Sequence, residues 1–198
     1  MREIALVGLI LVAAALPSRP AIRGEGSWMA VQVQLIQMGA DWQEEEVWET
    51  FHEADRIWGQ AKIGFAPSPA EVLEEGDPRA VPIELHSRSP IAIEFVDLIE
   101  DVPFGYGMGI VIGGGSIARI AHETPREYAG EDGFRGLILA HELGHALGLR
   151  HNPACRRGEK LLMCTPIPLG ERLTAEEIAA AQGFLRRYAE EILWSYEN

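Results

Sequence analysis

Residues 141–151 read HELGHALGLRH: three histidines and one glutamate in a stretch otherwise made of leucine, alanine, glycine and a single arginine. In a helix, residues four apart stack on one face. His141 and His145 therefore project together, at a spacing that one zinc ion can bridge. Glu142 comes one position after His141 and points about 100° away around the axis. It flanks the ion without joining the ligands, which suits a carboxylate that holds and deprotonates a water on the metal. Gly148 stands where a helix can end through a residue at positive φ, and a sharp turn there swings His151 back to the same ion. Three neutral imidazoles leave a fourth position open for water, the ligand set of a catalytic zinc site and not of a structural one. By composition, His-Glu-x-x-His alone arises by accident in roughly one per cent of chains this long, and adding Gly148 and His151 lowers that to ~10⁻⁵–10⁻⁴. Ordinary surface or core histidines on a helix are the weaker reading.

The elements that must position these residues are legible in outline. Residues 28–38, WMAVQVQLIQM, alternate Val31, Val33 and Leu35 with Gln32 and Gln34, the period of a half-buried strand. Asp41 and Glu44 have the spacing of a helix capping pair. Val47, Phe51, Ala54, Trp58 and Ala61 then recur at steps of four and three, so an amphipathic helix is expected over 42–61, with its tryptophan-rich stripe in the core. AVPIELHS (80–87), IAIEFVD (91–97) and GMGIVIGG (107–114) read as strands, separated by Pro, Gly and Asp. The glycines of FGYGMG lead into the β-like Ile110–Val111–Ile112 and do not open a helix, which argues against a dinucleotide loop. At the end of the chain Thr174 and Glu177 form a second capping pair, and Ile178, Ala181, Leu185, Tyr188 and Ile192 make one core-facing helical stripe.

The chain of 198 residues fits one domain with a real core. Its net charge of −13 opposes nucleic-acid binding, since phosphates would be repelled, and favours neutral or basic partners. Residues 4–16, IALVGLILVAAAL, form an unbroken apolar run. The run is too short for a membrane span, which needs about 20 residues, and suits the core of an export signal over 1–20, cleaved somewhere in 16–27. An uncleaved segment would instead anchor the chain to a membrane, and a buried strand or helix is the third reading. A secreted or periplasmic location follows, with no stable span after signal removal. In such a compartment Cys155 and Cys164 are expected to pair, closing a short loop at about 2–3 kcal/mol. Two separate buried thiols are the other reading.

HELGHALGLRH matches His-Glu-x-x-His-x-x-Gly-x-x-His, the extended zinc motif of the metzincin metallopeptidases, and the chain resembles that family in outline over residues 28–195. Met163, in LLMCTP twelve residues after His151, corresponds to the family's methionine in a tight turn beneath the metal. The resemblance implies an α+β, metzincin-like zincin fold. That fold has a twisted mixed sheet with two long helices in an N-terminal lobe, and a small C-terminal lobe ending in a helix. It forms one catalytic domain, with the zinc cleft between lobes near 148–151. The resemblance further implies a zinc-dependent endopeptidase with one catalytic Zn²⁺, His141, His145 and His151 as ligands, and Glu142 as general base. A peptide or protein substrate would pair with an edge strand just before the active-site helix, here Gly109, Ile110, Val111 and Ile112 within 107–114. Thr165 stands where astacin-like and serralysin-like members place a tyrosine, so no tyrosine switch is expected. No cysteine precedes Cys155, so latency through a propeptide cysteine is not expected either. Asn152, after the third ligand, ties the chain to none of the best-known branches.

Competing assignments are weaker. His52 reads as a helix-surface residue. His86 and His122 lack the acidic partners of a second, structural metal. Asp97, Glu100, Asp101, Glu131 and Asp132 read as solvated loop carboxylates before they read as a calcium site. Another zinc-peptidase clan would take Glu171, Glu176 or Glu177 as third ligand, which His151 makes unnecessary. A non-catalytic, zinc-stabilised binding module on the same fold is the alternative outside enzymes, and an intact Glu142 argues against it. The substrate depends on the wall near MCTPIPLG and on loop geometry, which the sequence does not specify.

Overall fold

The computed structural model describes residues 28–77, 91–102, 105–107, 109–112, 117–123, 133–157, 159–164 and 170–196. The apolar N-terminal segment, the strand expected at 80–87, His86, Glu131, Asp132 and Thr165 lie outside them.

Strand β1 (Met29–Gln37) alternates as expected in its first half, and is then buried at every position from Val33 to Ile36. The change comes from its place in the sheet. β1 pairs in parallel with β2 (Ile63–Glu74) on one side and with β3 (Ile91–Val96) on the other, and a central parallel strand is covered on both faces. The expected helix is α1 (Glu44–Trp58), continued by a 3₁₀ turn (Gly59–Ala61), and Val47, Phe51, Ala54, Trp58 and Ala61 are all buried. Its N-terminus departs from expectation. The cap is Gln43, whose backbone N–H donates to the Glu46 carboxylate at 3.1 Å, two residues beyond the Asp41/Glu44 pair. Asp41 is occupied elsewhere, its N–H donating to Asp97 Oδ1 at 2.9 Å.

The main sheet runs β2-β1-β3-β7-β6, with β7 at Ile117–Ala121 and β6 at Gly109–Ile112. Its first three junctions are parallel and the last is antiparallel, so the sheet is mixed. β2 was not among the expected strands. It contains Pro67 and Pro69, which are tolerated because β2 is an edge strand with one neighbour. Its register with β1 jumps between Val33 and Leu35. The strand expected at 107–114 divides in two. Gly105–Gly107 is β5, which pairs with β4 (Ile99–Val102) in a separate ribbon, whereas Gly109–Ile112 is β6, on the main sheet. β6 is an edge strand, as expected, but among the described residues β7 and not β6 is the last strand before the helix that carries the motif.

That helix, α2 (Phe134–Ala146), packs against α1, β6 and β7 and is buried along most of its length. Trp58 Nε1–H donates to the Ala140 carbonyl at 2.9 Å, tying α1 to α2 one residue before His141. A 3₁₀ turn follows at Pro153–Arg157, and the last described helix is α3 (Ala175–Tyr196). Its cap is the expected one: Glu177 N–H donates to Thr174 Oγ1 at 3.2 Å, and Thr174 N–H to Glu177 Oε2 at 2.7 Å. Ala181 is fully buried, and Ile178 and Leu185 pack against the same core. The Tyr188 and Ile192 side chains lie outside what is described.

Candidate metal centre

The three histidines of the motif converge. His145 Nε2 lies 3.1 Å from His141 Nε2 and 3.1 Å from His151 Nε2, and the three donor atoms all fall within 4.8 Å of one another. Tetrahedral zinc with Zn–N bonds of 2.0–2.1 Å calls for donor separations of about 3.3 Å. The rings are also turned the right way. His141 Nδ1–H donates to the Leu162 carbonyl at 2.7 Å, and His145 Nδ1–H to the Leu149 carbonyl at 2.9 Å. A carbonyl only accepts, so Nδ1 carries the hydrogen, and in the neutral ring Nε2 keeps a lone pair. Lone pairs facing one another at such distances fit a cation held between them, with the carbonyls fixing tautomer and orientation.

Electrostatics agree with this donor set. Burial above all pushes the His141 imidazole down to about 4, with the His145 and His151 rings adding to the effect, and the Leu162 bond opposing it. His151, though exposed, is lowered too, by the partial desolvation of its ring and by His145. Glu142 shares the helix but not the cluster. It is buried, and burial alone pushes its carboxyl up to about 8. A divalent cation nearby would favour the carboxylate and draw that value down.

Two glycines make the geometry possible. Gly148 has φ +80° and ends α2 in a Schellman turn: Leu149 N–H bonds to the Gly144 carbonyl at 2.9 Å, and Gly148 N–H to His145 at 2.9 Å. The turn that stops the helix thus also delivers the Leu149 carbonyl to His145 and redirects the chain to His151. At Gly144, one turn after His141, a Cβ would lie 2.5 Å from Met163 Sδ and 3.0 Å from its Cε. Only a bare helix surface admits Met163 here, between His141 and His145. Met163 is fully buried, and its neighbour Leu162 supplies the carbonyl for His141. Cys155 and Cys164 form a disulfide that ties the segment after His151 to the Met163 turn.

Other sequence candidates are placed elsewhere. Among the described residues no second group of three or more His, Cys, Asp or Glu side chains is arranged for a metal. His52 stacks on the Trp48 ring, and His122 stands beside Glu46 and edge-on to Trp42. The Asp97 carboxylate accepts the backbone N–H groups of Ala40 and Asp41, at 3.1 and 2.9 Å. Glu171 pairs with Arg56 at 2.8 Å, Glu176 is exposed, and Glu177 is bound within the α3 cap. None of these glutamates joins the histidine group. Three contributors escaped sequence reading: the Leu149 and Leu162 carbonyls, which have no side-chain signal, and Asn152. The Asn152 amide donates to Glu177 Oε1 at 2.8 Å, and its backbone N–H to the Met163 carbonyl at 2.7 Å.

No protein-family model and no curated protein matches this sequence. Solved structures do match the fold. One is the crystal structure of archaemetzincin (amzA) from Methanopyrus kandleri, with a TM-score of 0.55 and 14% identity, over 82% of this chain and 98% of that one. At such identity the likeness is one of fold. Together with the histidine cluster it supports a metallopeptidase fold for this chain.

Proposed function

We propose that this chain is a zinc-dependent endopeptidase working outside the cytoplasm, with His141, His145 and His151 as metal ligands and Glu142 as general base. The observation that carries the reading is the convergence of three imidazole Nε2 atoms, two of them oriented by main-chain carbonyls, beside a buried carboxyl. Zinc held there would supply Lewis acidity, acidifying water and polarising a substrate carbonyl. Glu142 takes the proton from the attacking water and passes it to the departing amine. Its burial serves this role, because a carboxyl whose affinity for a proton is raised toward neutrality can both accept and release one. Met163 forms the floor beneath the ligands. The β6 edge, Gly109–Ile112, is where an extended peptide would add as a further strand through main-chain hydrogen bonds. The net charge of −13 favours neutral or basic peptides.

Residues 28–195 form the catalytic domain in this reading, and residues 1–20 the export signal. The Cys155–Cys164 disulfide supports an oxidising compartment. No helix among the described residues is long and apolar enough to cross a membrane.

The test is cleavage of a peptide library by the purified mature chain, with and without a chelator, and with zinc restored. Glu142→Gln should hold stoichiometric zinc while losing about 10²–10⁴-fold in rate. Undiminished turnover in that variant removes Glu142 from the mechanism. Stoichiometric zinc without any cleavage by the wild-type chain points to the binding module instead.

A further inference from the structure

His151 is the ligand that the helix does not hold. His141 and His145 are set by their places on α2 and by ring bonds to main-chain carbonyls, whereas His151 follows the Gly148 turn in irregular backbone and is exposed. The next residue is held at every polar group. Asn152 N–H donates to the Met163 carbonyl at 2.7 Å, and its own carbonyl accepts from Cys155 N–H at 3.3 Å. Its side chain uses both ends, Oδ1 accepting from Ala154 N–H at 2.9 Å and Nδ2 donating to Glu177 Oε1 at 2.8 Å. Glu177 is itself buried, and its other oxygen accepts from Thr174 N–H at 2.7 Å. The cap of α3 and the residue beside the third ligand are therefore one hydrogen-bonded unit.

We infer that Asn152 and Glu177 are a positioning pair for the metal centre, through which the cap of α3 fixes the backbone that presents His151; the inference rests on the zinc reading above. The donor and acceptor demands at each position are specific. Position 152 needs an acceptor toward Ala154 and a donor toward Glu177. Asn152→Asp keeps the first and sets carboxylate against carboxylate. Position 177 needs an acceptor toward Thr174 and another toward Asn152. Glu177→Gln keeps the first and sets amide against amide. Made together, the two substitutions restore the bond with its direction reversed, the new amide at 177 donating to the new carboxylate at 152. The double variant also keeps the net charge, so a simple electrostatic effect on a cation cancels.

The experiment measures zinc affinity by competition with a chromophoric chelator, and the visible spectrum of the cobalt(II)-substituted chain, for the wild type, both single variants and the double. Each single variant should lose about 10–100-fold in zinc affinity, as expected where a group that orients ligands is removed, and should show an altered cobalt spectrum. The double should return to within about threefold of wild type, with the wild-type spectrum, because the coupling lies between these two positions. Single variants with full affinity overturn the inference. So does a double variant no better than the singles combined, or a loss of thermal stability with unchanged affinity and spectrum, which marks a merely structural cap. Should Asn152→Asp fail to fold, recovery from Glu177→Gln to the double variant decides on the same terms. A wild-type chain that binds no zinc overturns the metal reading as well, and is distinguished by that result alone.

Discussion

Gly148→Ala tests whether the turn at the end of α2 builds the site or merely ends the helix. Gly148 sits at φ +80°, and the Cβ of an alanine would stand 3.0 Å from Phe184 Cδ2. Holding an L-residue in the left-handed region costs about 1–2 kcal/mol. Alanine also stiffens the unfolded chain, which offsets ~0.4–1 kcal/mol of that. Phe184 is half-buried and can give by a few tenths of an ångström, so crowding adds little. The net expectation is a loss of about 1 kcal/mol, or roughly 2–4 °C in Tm for a domain of this size. The functional effect should be larger than the stability effect. The Schellman turn places the Leu149 carbonyl 2.9 Å from His145 Nδ1, and loss of a ligand-orienting partner weakens metal binding by about 10–100-fold. The assay is urea unfolding of the metal-free chain, alongside zinc competition on the folded chain. Gly148→Asn is the control, since asparagine tolerates positive φ yet carries the same Cβ. If strain is the cause, asparagine recovers most of both losses; if Phe184 crowding is the cause, it recovers neither. A Gly148→Ala chain with unchanged stability and zinc affinity would refute the assignment of this turn to the site.

Removing the disulfide with Cys155→Ala and Cys164→Ala frees a loop of sequence separation 9, and should cost about 2–3 kcal/mol in urea unfolding, with a parallel loss of zinc affinity. In the metal-free chain, stability should depend on pH through Glu142 on one side and His141 and His151 on the other, His151 acting in the same direction as His141. Glu142, raised from 4.5 to about 8 when folded, destabilises increasingly as pH climbs between those values, and its contribution is wholly lost above them. His141, lowered from 6.5 to about 4, destabilises as pH falls through that window. Below about 6.5 the two histidines outweigh Glu142, so stability measured by unfolding against pH should rise toward 6.5 and decline from 6.5 to 8, and Glu142→Gln should abolish that decline. Within the sheet, Arg119→Met leaves the buried Glu94 carboxylate without the guanidinium that lies 2.8 Å away. It should cost about 2 kcal/mol, less than the ~3–5 kcal/mol of a fully buried pair because Arg119 is partly exposed. Denaturant midpoints check this directly.

Local chemistry was legible in the sequence, and long-range competition was not. The histidine spacing, the α1 stripe and the Thr174/Glu177 cap each depend on residues close in sequence, and each is present. The first cap was misplaced because Asp97, more than fifty residues away, binds the backbone N–H groups of Ala40 and Asp41. The helix then starts at the next available pair, Gln43 and Glu46. β2 was hidden by Pro67 and Pro69, which argue against a strand unless its place at a sheet edge is already known. Asn152 carried no signal as a residue type. Its role appears only once folding brings Glu177 to it, and a one-dimensional reading assigns that glutamate fully to its own helix.

The supports of His141 show why the histidine cluster depends on the C-terminal segment. His141 Nδ1 is held by the Leu162 carbonyl, and Leu162 N–H donates to the Arg172 carbonyl at 2.9 Å. Leu173 N–H in turn donates to Gln60 Oε1 at 2.9 Å, and Gln60 Nε2 donates to the Glu171 carbonyl at 2.7 Å. A continuous series of hydrogen bonds thus runs from the end of α1, through residues 171–173, to the back of the first imidazole. Trp58, two residues before Gln60 at the end of α1, reaches the Ala140 carbonyl directly. The end of α1 therefore grips the centre from two directions, through α2 and through the segment that follows the ligands. With Asn152 anchoring the backbone beside His151 to α3, each of the three histidines is located by contacts from outside α2. The helix alone fixes only the relation of His141 to His145; the placement of His151 and the ring orientations come from the tertiary fold. For this reason an isolated peptide spanning 134–151 would carry the whole motif and still lack the centre.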